Sequence, residues 1–249
     1  MMHSLNNRRT VRSYTNKNID EVLLSQLLET AVHASNTGNM QAYSVVVTRD
    51  PLQKQALAPA HFNQKQVLNA PVVLTFCADL NRIDAWCRCR QAESGFNNIQ
   101  ALTFASIDAM IFAQTFCVAA EEQGLGICYL GTTTYQASTI IEVLGLPELV
   151  LPITTITLGY PNPEVPTKMS DKLPLEGIVH QEQYKPFTEQ RIDAVYLEKE
   201  MLEESKKFVE INNKQTLAQV YSEIRYKKAD NEFFSEKWLE AIRKQGFLK

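Results

Sequence analysis

Residues 97–122 constrain this 249-residue chain more than any other stretch. They read NNIQALTFASIDAMIFAQTFCVAAEE, rich in Ala, Ile, Phe and Met. Apolar side chains surround the segment on most sides at helical spacing, which predicts a central, buried helix. Gly124 and Gly126 close it. A helix of this kind must be covered by other layers, and the flanking sequence offers them as strands.

YSVVVT at 43–48 and PVVLTFC at 71–77 are short, β-branched runs and read as buried strands. ICYL at 127–130 and ITTITLG at 153–159 add two more. Leu24, Leu27, Leu28 and Ala31 place a helix over 20–34, with Asn18 and Glu21 as a cap-like start. Pro51 opens a helical stretch to about Ala58, and a helix near 135–144 is closed by Gly145 and Pro147. Residues 78–96 have mixed polarity around Trp86 and read as a covering loop or part of a lid. From residue 187 the composition shifts: 24 of the last 63 residues are charged, against 29 of the first 186. We expect one α+β domain with a mixed, mainly antiparallel sheet flanked by helices. Its core spans 1–186, and a charged helical C-terminal extension spans 187–249.

Charge and cysteine usage narrow the partners. With 25 Lys+Arg and 28 Asp+Glu the net charge is −3, which argues against a nucleic-acid wrapper. No uninterrupted apolar run approaches about 18 residues, so no membrane span is expected. MMHSLNNRRTVRSYT carries no apolar signal core. Five cysteines, an odd number, do not make a disulfide framework, so a reduced, cytoplasmic setting is expected.

Several chemistries find no motif. There is no GxGxxG after a strand, no P-loop and no GxSxG elbow. The histidines His3, His33, His61 and His180 are scattered singly, and Cys87-x-Cys89 has no matching second pair for a metal. No nucleophile or acid–base set stands out, so a bound cofactor is expected to carry any chemistry.

Four polar constellations remain. Arg8-Arg9-Thr10-Val11-Arg12-Ser13 puts three guanidiniums before the first helix, where they can fork onto a phosphate or simply form a solvated arm. SNTGNMQAY at 35–43 is a polar turn between helix and strand, suited to a heteroaromatic edge or to no ligand at all. Tyr129-Leu130-Gly131-Thr132 ends a buried strand and offers backbone N–H groups to a ring or phosphate, or caps the next helix. Lys168, Ser170 and Lys172 follow the last strand, where a cation can meet a phosphate or face solvent.

In this order and spacing, the segments RRTVRSYT, ASNTGNMQAYSVVV, Gln64 before PVVLTFCADLNR, EEQGLGICYLG, LPELVLPITTITLGYP and DKLP resemble the FMN-dependent nitroreductase family. The resemblance is nearest to its NADPH-preferring branch of oxygen-insensitive nitroreductases and flavin reductases, and covers about residues 5–186. It implies a homodimer with FMN at the dimer interface. By resemblance, Arg8, Arg9, Thr10 and Arg12 hold the FMN phosphate and ribityl end. Asn36, Thr37 and Asn39 face the isoalloxazine edge or its dimer-mate neighbourhood, and Gln64 bonds the ring's polar edge. Tyr129, Leu130, Gly131 and Thr132 lie against the ring. Lys172 stands where the branch has an Arg near the phosphate, with Lys168 and Ser170 beside it.

Asn212-Asn213-Lys214 resembles the segment that grips the NADPH 2′-phosphate, with Lys214 in place of Arg. Lys lacks the bidentate fork, which leaves NADPH against NADH open. The implied activity is NAD(P)H-dependent reduction of nitroaromatic, quinone or flavin acceptors in a ping-pong cycle, with no catalytic side chain. The rival readings are a flavin-binding storage or sensing protein without turnover, and a nucleic-acid protein using the RRTVR arm.

Overall fold

The computed structural model describes residues 5–248, so His3 lies outside it. The chain forms two compact units: one runs to Lys168 and resumes at Phe234, and the other is Met169–Phe233. The units divide ahead of the rise in charge at 187, and the end of the chain returns to the first unit.

In the first unit, strands β1 (Tyr43–Thr48), β2 (Val72–Asp79), β3 (Gly126–Leu130) and β4 (Val150–Gly159) form one sheet in the order β1-β2-β4-β3. Every pairing among them is antiparallel. β2 and β4 are buried almost throughout, as their near-continuous Val, Leu, Ile and Thr runs demand.

Helices α1 (Glu21–Ala31) and α5 (Ile99–Glu122) cover one face. There Leu24, Leu27, Phe112, Phe116 and Ala120 pack with Leu74, Phe76, Ile127 and Ile156. On the other face, Ala58 and Val67 pack with Val73, Cys128 and Leu130. These come from the turns around α2 (Pro51–Leu57) and α3 (Lys65–Asn69). Helix α6 (Ala137–Leu144) ends in Gly145 at φ +62, a left-handed cap that glycine adopts without a Cβ penalty.

Three sequence expectations change. The cap of α1 is Asp20, not Asn18: its carboxylate accepts from Val22 N at 2.8 Å and Leu23 N at 3.4 Å. Residues 81–89, expected in a covering loop or part of a lid, form helix α4 (Asn81–Cys89), with Trp86 exposed. Helix α5 is buried along one face only. Its other face exposes Ile107 at 53%, Met110 at 39% and Ile111 at 37%. Among the described residues, α5 alone is long and apolar enough to cross a bilayer, yet half of that apolar stretch lies inside the protein core.

The second unit holds α7 (Glu189–Met201) and α8 (Glu203–Ile211). A Thr216–Gln219 capping box then leads into a π-helical turn, Val220–Arg225. Gly177 lies so close to α7 that a Cβ there would stand 2.7 Å from Val195 Cγ1. Helix α9 (Lys228–Lys244) carries the chain back to the first unit. There Ala241, Ile242 and Phe247 join the core, and Gln245 Nε2 donates to Pro147 O at 2.9 Å and Val150 O at 2.6 Å.

The N-terminal arm is laid against the sheet edge. Val11 N donates to Ile127 O at 3.0 Å, and Thr15 N to Tyr160 O at 2.9 Å. The buried Tyr14 hydroxyl sits 2.7 Å from both Val11 O and Thr157 Oγ1. Gly126 permits this approach, because a Cβ there would stand 2.6 Å from Val11 Cβ. Gly126→Ala is therefore expected to destabilise the fold by about 1–3 kcal/mol through overpacking. Urea unfolding checks it, and an unchanged midpoint would contradict the packing account.

Candidate functional site

The arm brings its cations to the end of the sheet. Val11 and Tyr14 point inward, leaving Arg8 and Thr10 half-buried and Arg9 and Arg12 exposed. Arg8 Nε lies 3.4 Å from Glu121 Oε1 at the C-terminal turn of α5. Burial pushes the Glu121 carboxyl up, and Arg8 partly offsets this. The Arg12 guanidinium lies beside Cys128; burial raises that thiol, and Arg12 moderates the rise. Arg8 and Arg12 are thus placed beside Glu121 and Cys128, with Arg9 exposed between them in the chain.

A second pair of segments meets on the opposite face from α5. Thr132, in the turn after β3, places Oγ1 2.9 Å from Nδ1 of His61, which is fully buried. His61 closes the short turn Ala58–His61 that precedes Gln64. Thr133 Oγ1 donates back to Leu130 O at 2.9 Å, which tightens the turn around the exposed Gly131. Gln64 Oε1 accepts from Gln66 Nε2 at 2.6 Å, so the carboxamide of Gln64 is oriented with its N–H₂ still to offer. Nothing lies within 4 Å of a Cβ built on Gly131, so that backbone faces open space. Tyr129 departs from this group. By strand alternation it shares the side of Ile127, and its hydroxyl donates to Gln114 on α5 at 3.3 Å. Only its backbone can serve a ligand beside Gly131.

The 35–42 loop is anchored to α5. Asp108, buried in that helix, accepts from Thr37 N at 3.0 and 3.1 Å and from Thr37 Oγ1 at 3.0 Å. A buried carboxylate requires this hydrogen bonding. Asn36 Oδ1 accepts from Gln41 N at 3.1 Å. Gly38, Asn39 and Gln41 all have φ between +50 and +60°. Asn39 is exposed.

Lys168 closes the first unit, whereas Ser170 and Lys172 belong to the second. Between these last two, Asp171 pairs with Lys199 at 2.5 Å, which holds its carboxyl below the usual range. Lys214 pairs with Glu223 at 2.7 Å.

Sequence reasoning passed over His61 and Asp108. Asp108 carried a signal, since it is the only charge between residues 97 and 120. His61 carried none, because its partner is far away in the chain. Three rings also meet beside the His61 turn: Phe62, Tyr135 and Phe234, the last two stacked at 4.4 Å. Among the described residues no His/Cys/Asp/Glu group is arranged to hold a metal.

The geometry amounts to a fixed cationic arm, an oriented amide and a turn with open backbone, none of which is a nucleophile or a base. Residues 5–160 match the model of the nitroreductase family. The chain is 31% identical over 188 residues to the FMN reductase (NADPH) of Bacillus subtilis strain 168, covering 74% of each chain. It is 31% identical over 183 residues to the oxygen-insensitive NADPH nitroreductase of Salmonella typhimurium, covering 73% of each. A crystal structure of a Bacteroides fragilis oxidoreductase-class protein superposes with a TM-score of 0.97 at 54% identity over 100% of both chains.

His61 supplies a pH test of the site. Burial depresses its pKa from 6.5 to about 4, so the folded protein keeps it neutral. The unfolded chain takes up that proton first as pH falls. Stability is therefore full above about pH 6.5 and declines down to about pH 4, by on the order of 3 kcal/mol. Thermal melts of the parent and His61→Asn over that range check this. The variant is expected to lose part of the slope, and matching slopes would contradict it.

Proposed function

The chain belongs to the nitroreductase family, and from that premise we propose an FMN-dependent oxidoreductase. It takes reducing equivalents from NADPH or NADH and delivers them to a small-molecule acceptor: a nitroaromatic, a quinone or a free flavin. The observation that carries this reading is the pairing of a three-arginine arm, held through its backbone, with an oriented amide and open backbone. The reductase names of the two curated relatives support turnover over flavin storage or sensing.

The donor set fits FMN. Guanidiniums of Arg8, Arg9 and Arg12, with the Thr10 hydroxyl, match a phosphate dianion, because charge-assisted forks to phosphate are strong. Arg8 is shared with Glu121, which leaves Arg12 as the freer cation. Gln64, and the backbone of Leu130, Gly131 and Thr132, suit the polar edge of a flat heterocycle. Bound FMN supplies a two-electron carrier between the pyridine nucleotide and the acceptor.

The protein's own residues bind and orient. The arm fixes the phosphate end. His61, held neutral, positions the Thr132 hydroxyl without adding a charge. Asp108 fixes Thr37 and so the loop bearing Asn36 and Asn39, toward the ring or a partner subunit. Lys168, in the same unit as the arm, adds a cation to the phosphate side. The donor and acceptor occupy one place in turn, which gives ping-pong kinetics.

The reading includes a homodimer, supported by the exposed apolar face of α5. It includes a cytoplasmic setting, supported by five free cysteines.

Arg12→Ala tests the assignment. One lost charge-assisted phosphate contact is expected to weaken FMN binding about tenfold or more. The melting temperature of the FMN-free protein should stay close to the parent's. Fluorescence titration of released FMN reads the first quantity, and an unchanged dissociation constant would remove Arg12 from the site.

A further inference from the structure

Phe62 caps the Ala58–His61 turn, its N–H donating to Pro59 O at 3.1 Å, but that role does not call for an aromatic side chain. Its backbone is left-handed, φ 52 and ψ 35, a conformation that a bulky side chain adopts at a cost. Asn63 follows at φ 54, so the strain runs over two consecutive residues. Burial does not repay it, since Phe62 is 50% exposed. A glycine would relieve the strain, yet the chain places an aromatic ring there.

That ring is not isolated. It meets Phe234 edge-on, with centroids 6.0 Å apart at 60°. Phe234 in turn stacks on Tyr135 at 4.4 Å and 10°. The rings come from three places: the turn before Gln64, the turn after β3, and the first-unit part of α9. The His61–Thr132 hydrogen bond joins the first two, one residue from Phe62 and three from Tyr135. His61 has no room to shift, being fully buried, so the Phe62 backbone is fixed from behind. The turns that carry Gln64 and Gly131 therefore also carry an apolar, π-bearing wall.

We propose that Phe62, with Tyr135 and Phe234 behind it, is the stacking shelf for the electron acceptor, and that it selects flat, electron-poor aromatic acceptors. The inference rests on the flavin-reductase reading above. A planar ring gains offset-stacked or edge contact with such a wall, whereas a compact inorganic oxidant has no π face to offer. The strain at Phe62 is retained because glycine would relieve it only by removing the contact.

The test uses FMN-loaded parent, Phe62→Gly and Phe62→Leu. Equilibrium dialysis with 4-nitrobenzoate, without any hydride donor, reads binding. Steady-state rates with NADPH compare 4-nitrobenzoate with ferricyanide, which cannot stack. Both variants are expected to raise the Kd and the KM for 4-nitrobenzoate about three- to tenfold. The KM for ferricyanide should move distinctly less. Phe62→Gly should melt no lower than the parent, which separates the effect from misfolding. An unchanged Kd for 4-nitrobenzoate in both variants overturns the shelf alone, as does a ferricyanide KM that rises in step. A parent that holds no FMN overturns the flavin-reductase reading, and the shelf with it.

Discussion

One face of α5 lies flat on the sheet, and the remaining elements take their places from that contact. Phe112 and Phe116 pack with Phe76 in a buried aromatic cluster, centroids 5.5 and 6.0 Å from it. Each such ring contributes about 1.5–3 kcal/mol by leaving water. The same helix carries Asp108 on its buried side and Glu121 near its end. Asp108 fixes the 35–42 loop through Thr37, and Glu121 holds Arg8 of the arm. A single packed helix thus anchors two of the segments assigned to the site.

The opposite face works by a neutral contact. Burial keeps His61 uncharged, and its bond to Thr132 ties two turns together. The result is a division of charge: cations on the arm, neutral donors and acceptors around Gln64 and Thr132. A dianionic tail and a flat polar ring make these two demands together. Left-handed backbone occurs at Asn39 and Gln41 in the 35–42 loop and at Phe62 and Asn63 before Gln64, as it does at Gln91, Leu149, Glu182 and Asn213 elsewhere.

Much of the scaffold is legible in the sequence, because it is written in period and composition. The β-branched run at 43–48 and the apolar run at 127–130 mark β1 and β3 to within a residue. The Gly145 stop of α6 is equally plain. Legibility fails where the decisive contact is distant or shared. Residues 97–122 are apolar all round, yet only one face of α5 is covered within this chain, so the pattern overstates burial. Asp20 displaces Asn18 as a cap by position, which spacing cannot rank. The arm's arginines are conspicuous in the sequence, but the carboxylate that claims Arg8 is not. His61 and Phe62 are invisible because their partners, Thr132 and Phe234, lie far along the chain. Strand alternation could have shown that the Tyr129 side chain turns toward α5.

The central claim is that these loops hold a flavin that pyridine nucleotides reduce. The most direct measurement is the visible absorption spectrum of the purified protein under anaerobic conditions, before and after adding NADPH and, separately, NADH. The account predicts flavin bands that bleach with at least one donor and return when an acceptor is added. Flavin bands that persist with both donors would contradict turnover, and a protein that shows no flavin bands even after FMN is supplied would contradict the site.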